Sequence, residues 1–292
     1  MAERSNLQIV FAIAVAILVG VFISWAGSDG GDRIGNIPVF AICGALAFGI
    51  NWLVFIPSSL AQTEHYYDLT GGLTYITTVI VAVVLSGTTD PRALLVAAMV
   101  LFWSLRLATF LFRRISSAGG DDRFDTIKNR PVRFFMAWTL QGLWVLLTAA
   151  AAFAVITGGE SKPLGAVGIA GIVVWFAGIS IEIASDRQKS NFRSDPANAG
   201  KFISTGLWAW SRHPNYFGEI VLWTGIAIIA LPVLQGWQWA TLISPVFVAF
   251  LLIKVSGIPL LEAKADARWG GQDDYESYKR NTPILVPKPP KA

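Results

Sequence analysis

Eight stretches of about 20 mostly apolar residues recur along this 292-residue chain, and nothing else limits its fold so sharply. They cover residues 7–26, 37–60, 71–88, 92–112, 133–156, 163–184, 216–235 and 239–258. Each is long enough to cross the roughly 30 Å hydrocarbon core of a bilayer as a helix, and in lipid a helix satisfies its own backbone hydrogen bonds. The pattern predicts an all-α, polytopic transmembrane helix bundle of eight spans. The count drops to seven if 71–88, short and polar at both ends, only dips into the membrane. The composition agrees: 14% of residues are charged, against about 25% in a soluble domain, and the mean hydropathy is +0.54. A soluble enzyme, a nucleic-acid-binding domain and a disordered scaffold are excluded on these grounds, so nucleic acid is not an expected partner. The first stretch is too long for the core of a cleaved signal peptide. The single cysteine, Cys43, lies in the apolar run AICGALAF, which excludes an intrachain disulfide and a cysteine metal cluster. No internal repeat suggests an inverted-repeat transporter.

Lysine and arginine set the expected orientation. With a cytoplasmic N-terminus, eight spans leave five segments on the cytoplasmic side. These hold 18 of the 23 Lys and Arg: Arg4, six residues from Arg113 to Arg133, five from Arg187 to Arg212, and six from Lys264 to Lys291. The other side holds Arg33, Arg92 and Lys162, and Arg106 and Lys254 lie inside spans. The asymmetry places both termini in the cytoplasm, and the net charge of +4 is part of it.

Ionisable residues within spans are costly and either mark a shared polar cavity or snorkel to the interface from near helix ends. Arg106, Glu182 and Glu219 fall in the cytoplasmic halves of their spans, and Glu64, His65 and Asp68 lie in the connector between spans two and three. Lys254, near the end of the last span, reads as a snorkelling side chain. The segment IEIASDRQKSNFRSD, from Ile181 to Asp195, reads as a continuing helix with Glu182, Asp186, Lys189 and Arg193 on one face. Such a face is either solvated or presents cations to a phosphate and a carboxylate to a ribose or an amine. In GLWAWSRHPNYFGEI, from Gly206 to Ile220, Pro214 marks a helix start, which puts Asn215 and Glu219 one turn apart. An Asn amide offers both donor and acceptor, suited to a carboxamide or an adenine edge. Trp208, Trp210 and Tyr216 stack on a planar ligand or belong to the interfacial aromatic belt.

The run from Glu182 to Glu219, with SRHPNYFGE inside it, resembles the C-terminal signature of the steroid 5-alpha-reductase superfamily, in particular its bacterial members of unassigned function. WSLRLATFLFRR around Arg106, DDRF at 121–124 and GIPLLEAKADAR…DYESYKRNTPILVP extend the likeness over roughly residues 60–287. SRHPNYFGE is shared with the isoprenylcysteine carboxyl methyltransferases, while the SDRQKSNFR context and the Asp68 and Arg106 regions favour the reductases. The resemblance implies N-terminal helices at 1–60, a reductase-like membrane domain at 61–287 with a pocket open to the cytosol, and a Pro/Lys tail at 288–292. It implies NADPH as cofactor, no metal, and reduction of a C=C bond conjugated to a carbonyl in a lipid or steroid-like substrate, at a bacterial plasma membrane. The cofactor-binding set it implies is Arg106, Glu182, Asp186, Arg193, Arg212, His213, Asn215, Tyr216, Glu219, Tyr278 and Lys279, with Tyr275 and Arg280 nearby in the tail. The catalytic set is Glu64, Tyr66, Tyr67 and Asp68. The reductases polarise the substrate carbonyl with a Tyr and a Glu from the N-terminal half, and the Tyr's position here, three residues before Arg106, is Trp103. Tyr66, Tyr67, Tyr75 and His65 are the candidate replacements. An S-adenosylmethionine-dependent membrane methyltransferase and a non-enzymatic lipid-binding protein are the two alternatives.

Overall fold

A computed structural model of the chain describes residues 6–118 and 124–290, and only the backbone of 110–118. Arg4, Lys291 and the residues 121–123 of the DDRF motif lie outside the described residues, as do the side chains of Arg113 and Arg114. The helices are α1 (Asn6–Gly27), α2 (Val39–Leu60), α3 (Tyr67–Ser86), α4 (Pro91–Ala118), α5 (Pro131–Thr157), α6 (Gly165–Ser194), α7 (Pro214–Ala230), α8 (Ile243–Phe250), α9 (Ile258–Trp269) and α10 (Asp273–Asn281). A small antiparallel hairpin, β1 (Arg33–Ile34) with β2 (Ile37–Pro38), joins α1 to α2. The chain divides into two compact units.

The first unit holds Met1–Gly165 and Ala230–Ser244, with α5 at its centre, packed against α1, α2, α3 and α4. Nearly every residue of α5 from Gln141 to Thr157 is buried, as expected of LLTAAAAFAVIT, which has no polar stripe to turn outward. Gly142 lets α2 come close, because a Cβ there would meet the Ala47 carbonyl oxygen at 2.9 Å. The outer helices carry exposed apolar side chains such as Leu7, Phe11, Leu18 and Leu53, as lipid-facing surfaces do. Arg92 is buried, and its guanidinium donates to the carbonyls of Lys162 and Pro163 at 3.2 and 2.7 Å.

The second unit holds Ala166–Ile229 and Pro245–Ala292. Its frame is the antiparallel contact of α6 and α7, built on two glycine pairs with the same seven-residue spacing. A Cβ on Gly171 would lie 2.8 Å from the Gly225 carbonyl, and one on Gly178 would lie 2.7 Å from that of Gly218. Backbone can touch backbone there because neither helix has a side chain in the way.

Seven elements are long and apolar enough to cross a membrane among the described residues: α1, α2, α3, α4 up to Thr109, α5, α6 and the stretch Gly236–Trp269. The doubtful region 71–88 is a 20-residue helix, α3, that begins at Tyr67. The short element is α7 instead. Its 17 residues reach about 26 Å at 1.5 Å per residue, below the roughly 30 Å core. The expected span to residue 235 ran through Pro232, which turns the preceding residue out of helical geometry and ends the helix. The stretch 239–258 is likewise not one regular helix. A 3₁₀ turn (Gly236–Leu242) leads into α8, and a π-helical turn (Leu251–Val255) carries Lys254 before the chain breaks at Gly257. In contrast, α6 continues to Ser194 as the Ile181–Asp195 reading requires.

Candidate functional site

The glycine contact carries the polar end of α6 to the first turn of α7. A Cβ on Gly218 would fall 2.7 Å from the Glu182 amide nitrogen, so the two helices are already in backbone contact at Glu182. One turn further along α6, Asp186 accepts a hydrogen bond from the Asn215 amide at 3.3 Å. Glu182 is buried, at 3% exposure, and Glu219 lies half-buried one turn beyond Asn215. Lys189 and Arg193 extend the same face of α6, with Arg193 exposed in the last turn.

The corner before α7 is fixed by the C-terminal tail and by α9. Ser211 donates to the Leu285 carbonyl at 2.8 Å and accepts from the His213 amide at 3.1 Å. The Arg212 amide donates to the Pro283 carbonyl, and the Lys288 amide to that of Trp210. Glu262 on α9 then takes both side chains: Arg212 Nη1 lies 2.5 Å from one oxygen and His213 Nε2 2.8 Å from the other. The His213 ring stacks on Tyr216 at 5.7 Å and 11°. Burial holds the His213 pKa below its ordinary value, because a charged imidazole would lose its hydration, although the Glu262 carboxylate pulls the other way. Gly257 leaves room for this packing, since a Cβ there would press on the Tyr216 ring at 3.0 Å.

Trp208 is the pillar of the corner. It is buried, its indole donates to the Ser185 carbonyl at 3.1 Å, and Lys189 sits 4.2 Å above the ring. The Tyr278 hydroxyl donates to the Trp208 carbonyl at 2.7 Å, and burial raises its pKa, keeping it protonated. Tyr275 and Lys279 from α10 both meet Asp266 on α9, at 2.9 and 2.6 Å, so these two implied tail residues tie α10 to α9.

Three neighbouring residues carry unmet hydrogen-bonding capacity. Among the described residues, Arg212 Nε, His213 Nδ1 and Asn215 Oδ1 are buried and have no hydrogen-bond partner. A buried polar atom without a partner costs about 1–3 kcal/mol, and here a donor, a ring nitrogen and an acceptor cluster within four residues. A ligand offering an amide-like edge answers that set, with the Asn215 carbonyl accepting and Arg212 donating. The nicotinamide carboxamide of NADPH has such an edge, and Lys189 and Arg193 are cations on the α6 face that carries Asp186. The residues present therefore fit the group.

The remaining predicted residues belong to the first unit. Glu64 is 7% exposed and takes Lys128 at 3.2 Å, while Lys128 also reaches Asp125 at 2.8 Å. The Tyr67 hydroxyl donates to the Ala137 carbonyl at 2.9 Å, with its ring against Phe124 and Trp138. Tyr66 is exposed beside His65, and Asp68 is half-buried in the first turn of α3. Trp103 is buried on α4, one turn before the half-buried Arg106, and Tyr75 packs edge-on against it at 5.2 Å and 89°. Sequence reasoning missed Glu262, Ser211 and Gln188, whose side-chain oxygen accepts from the Leu207 amide at 2.9 Å. A signal existed for Glu262, which stands four residues before Asp266 and so shares its helix face.

The family model described as "Protein of unknown function (DUF1295)" matches residues 54–282. This chain belongs to that family. Among curated proteins the DUF1295 chain is 31% identical over 119 residues to the 3-oxo-5-alpha-steroid 4-dehydrogenase 1 of Rattus norvegicus, covering 41% of this chain and 40% of that protein. It is 28% identical over 120 residues to the Steroid 5-alpha-reductase DET2 of Arabidopsis thaliana, covering 41% and 40%. It is 38% identical over 76 residues to the Delta(14)-sterol reductase of Ascobolus immersus, covering 21% and 18%. These likenesses place the DUF1295 chain in the steroid 5-alpha-reductase-like superfamily, as the SRHPNYFGE resemblance implies. The chain spans about 40% of the length of the steroid-reductase relatives it matches. No solved structure matches.

Proposed function

We propose that this protein is an integral membrane reductase that uses NADPH to reduce a C=C bond conjugated to a carbonyl in a lipid or steroid-like substrate. The observation that carries the reading is the run of unmet polar atoms on Arg212, His213 and Asn215, beside the Asp186–Asn215 hydrogen bond. The names of the relatives supply the chemical class. When bound, NADPH supplies the hydride that the β-carbon of the enone receives. Asn215 and Glu219, one turn apart, orient the carboxamide by accepting its N–H groups. Asp186 takes a ribose hydroxyl, and Lys189 and Arg193 hold phosphate. Glu262 keeps Arg212 and His213 in place while Trp208 and Tyr216 wall the site.

The substrate carbonyl needs a donor where negative charge develops. Of the tyrosine candidates, Tyr67 already spends its hydroxyl on a backbone carbonyl and Tyr66 is exposed. Tyr75 packs edge-on against Trp103, the residue that stands at the apparent position of the reductases' tyrosine. In this reading the cofactor site faces the cytoplasm, which the Lys and Arg asymmetry supports. A cysteine introduced at Ser161 in a Cys43→Ser background then labels from outside intact cells, and protection of that site would reverse the orientation.

Glu219→Gln tests the cofactor reading. It is expected to leave the fold intact and remove most NADPH affinity, and Arg193→Ala to weaken binding about tenfold through lost charge-assisted contacts. Normal NADPH binding by a Glu219→Gln protein that melts early would make Glu219 a structural residue. The Asn215 amide suits an adenine amine equally well, which keeps S-adenosylmethionine and methyl transfer as the second reading.

A further inference from the structure

A cavity lies in the first unit, between α1 and α2, and every residue lining it precedes residue 54, where the DUF1295 match begins. It is a half-open groove of about 640 Å³, within the roughly 300–1,000 Å³ usual for small-molecule sites. Its walls follow helical spacing, with positions 17, 20, 21, 24 and 25 on α1 facing 41, 44, 45, 48 and 52 on α2. The small side chains of Ala41 and Ala45 leave space between the helices, Gly20 and Gly44 admit the Phe48 ring and the Ser24 hydroxyl of the facing wall, and Ile17, Phe48 and Trp52 close the deep end.

The shallow end is polar and aromatic. Asp29 and Arg33 line it, both exposed, and Trp25 stands there with its ring 5.3 Å from that of Trp237. One Asp29 carboxylate oxygen accepts from the Trp237 amide at 2.8 Å, and one Arg33 nitrogen donates to the Asn36 carbonyl at 3.1 Å. Most of the hydrogen-bonding capacity of each group stays available. Indole rings grouped beside charged residues at a helix end mark the membrane–water boundary.

The length of the groove gives its occupant. From the mouth to the deep end, eight residues of α1 and eleven of α2 rise roughly 12 and 16 Å. Half of the hydrocarbon core is about 15 Å. The groove is therefore one leaflet deep, apolar along its length, and closed at the interface by one base and one acid. We propose that it holds a phospholipid with an ethanolamine headgroup, one acyl chain lying between α1 and α2. Arg33 holds the phosphate and the Asp29 carboxylate holds the ammonium. An anionic headgroup fits less well, because Asp29 and Asp32 flank the single Arg33 and would repel a second negative charge.

The test is the lipid retained by the intact protein, quantified by native mass spectrometry after purification in mild detergent, followed by melting with added lipid. The wild type is expected to retain phosphatidylethanolamine and to melt higher with phosphatidylethanolamine vesicles than with phosphatidylglycerol vesicles. Ala45→Trp fills the groove from an exposed position and is expected to retain at least tenfold less lipid while melting normally in detergent. Val21→Trp, on the facing wall, gives the same readout should the first variant fail to fold. Arg33→Gln with Asp29→Asn is expected to bring the two lipids to parity. Retention of phosphatidylglycerol as readily as phosphatidylethanolamine by the wild type, or full lipid retention by both tryptophan variants, would overturn the proposal. So would displacement of the retained lipid by a hydrophobic enone, which would make the groove a substrate site.

Discussion

Gly178→Ala probes the contact on which the candidate site is built. The new Cβ would lie 2.7 Å from the Gly218 carbonyl oxygen and 2.8 Å from Leu222 Cα, both backbone atoms that no rotamer change can move. The Leu222 amide nitrogen would be nearer still, at 2.4 Å, and restoring ordinary van der Waals separation requires α6 and α7 to part by roughly 1 Å along the crossing. Overpacking of this kind costs about 1–3 kcal/mol, and a better helix former returns up to about 1 kcal/mol. A net loss near 2 kcal/mol corresponds to a melting point lower by about 4–8 °C for a protein of this size. The same movement stretches the Asp186–Asn215 hydrogen bond, already 3.3 Å long, past the reach of a hydrogen bond. Loss of that bond, worth about 1 kcal/mol, weakens NADPH binding roughly fivefold under the proposed reading. Differential scanning fluorimetry and a fluorescence titration of NADPH read the two effects. Val173→Ala, on the exposed side of α6 at 62% exposure, is the control and should change neither. A Gly178→Ala protein that melts and binds like the wild type would refute the idea that backbone contact at the glycine pairs positions the site.

Glu262→Gln removes the carboxylate that holds Arg212 and His213 together. The pair is largely but not fully buried, so a loss of about 2 kcal/mol is expected, read as a melting point lower by several degrees, and unchanged melting would show the clamp to be dispensable. The pH dependence of stability follows from His213. Its native pKa lies below the ordinary 6.5, so under acid conditions the unfolded chain binds more protons than the native one. The His213 contribution is then complete above pH 6.5 and falls as the pH drops from there through the lowered native value. Melting between pH 7.5 and 5 should decline less steeply in His213→Asn, and an identical slope in both proteins would contradict the buried neutral imidazole.

The helical bundle was legible because apolar length is a strong signal, and α1 to α6 appear where hydropathy puts them. The charged continuation of α6 was also legible, since Glu182, Asp186, Lys189 and Arg193 keep helical spacing past the apolar stretch. Hydropathy failed where geometry decides. It carried α7 past Pro232, which ends the helix, and it saw 239–258 as one span because a π turn is as apolar as an α turn. The site was legible in the SRHPNYFGE corner, where a proline-led helix start collects Asn215 and Glu219. Its supports were not. Glu262 is 49 residues from His213 in sequence, and only the fold brings α9 to that corner. The pairs Gly171/Gly178 and Gly218/Gly225 do share a seven-residue period, but that period becomes informative only once the two helices are known to face each other.

Titration of the detergent-purified wild type with NADPH and, separately, with S-adenosylmethionine tests most directly whether Arg212, His213 and Asn215 await a nicotinamide dinucleotide. NADPH is expected to raise the melting point by several degrees and S-adenosylmethionine to leave it unchanged. A rise with S-adenosylmethionine and none with NADPH would contradict the reductase reading and assign the site to methyl transfer.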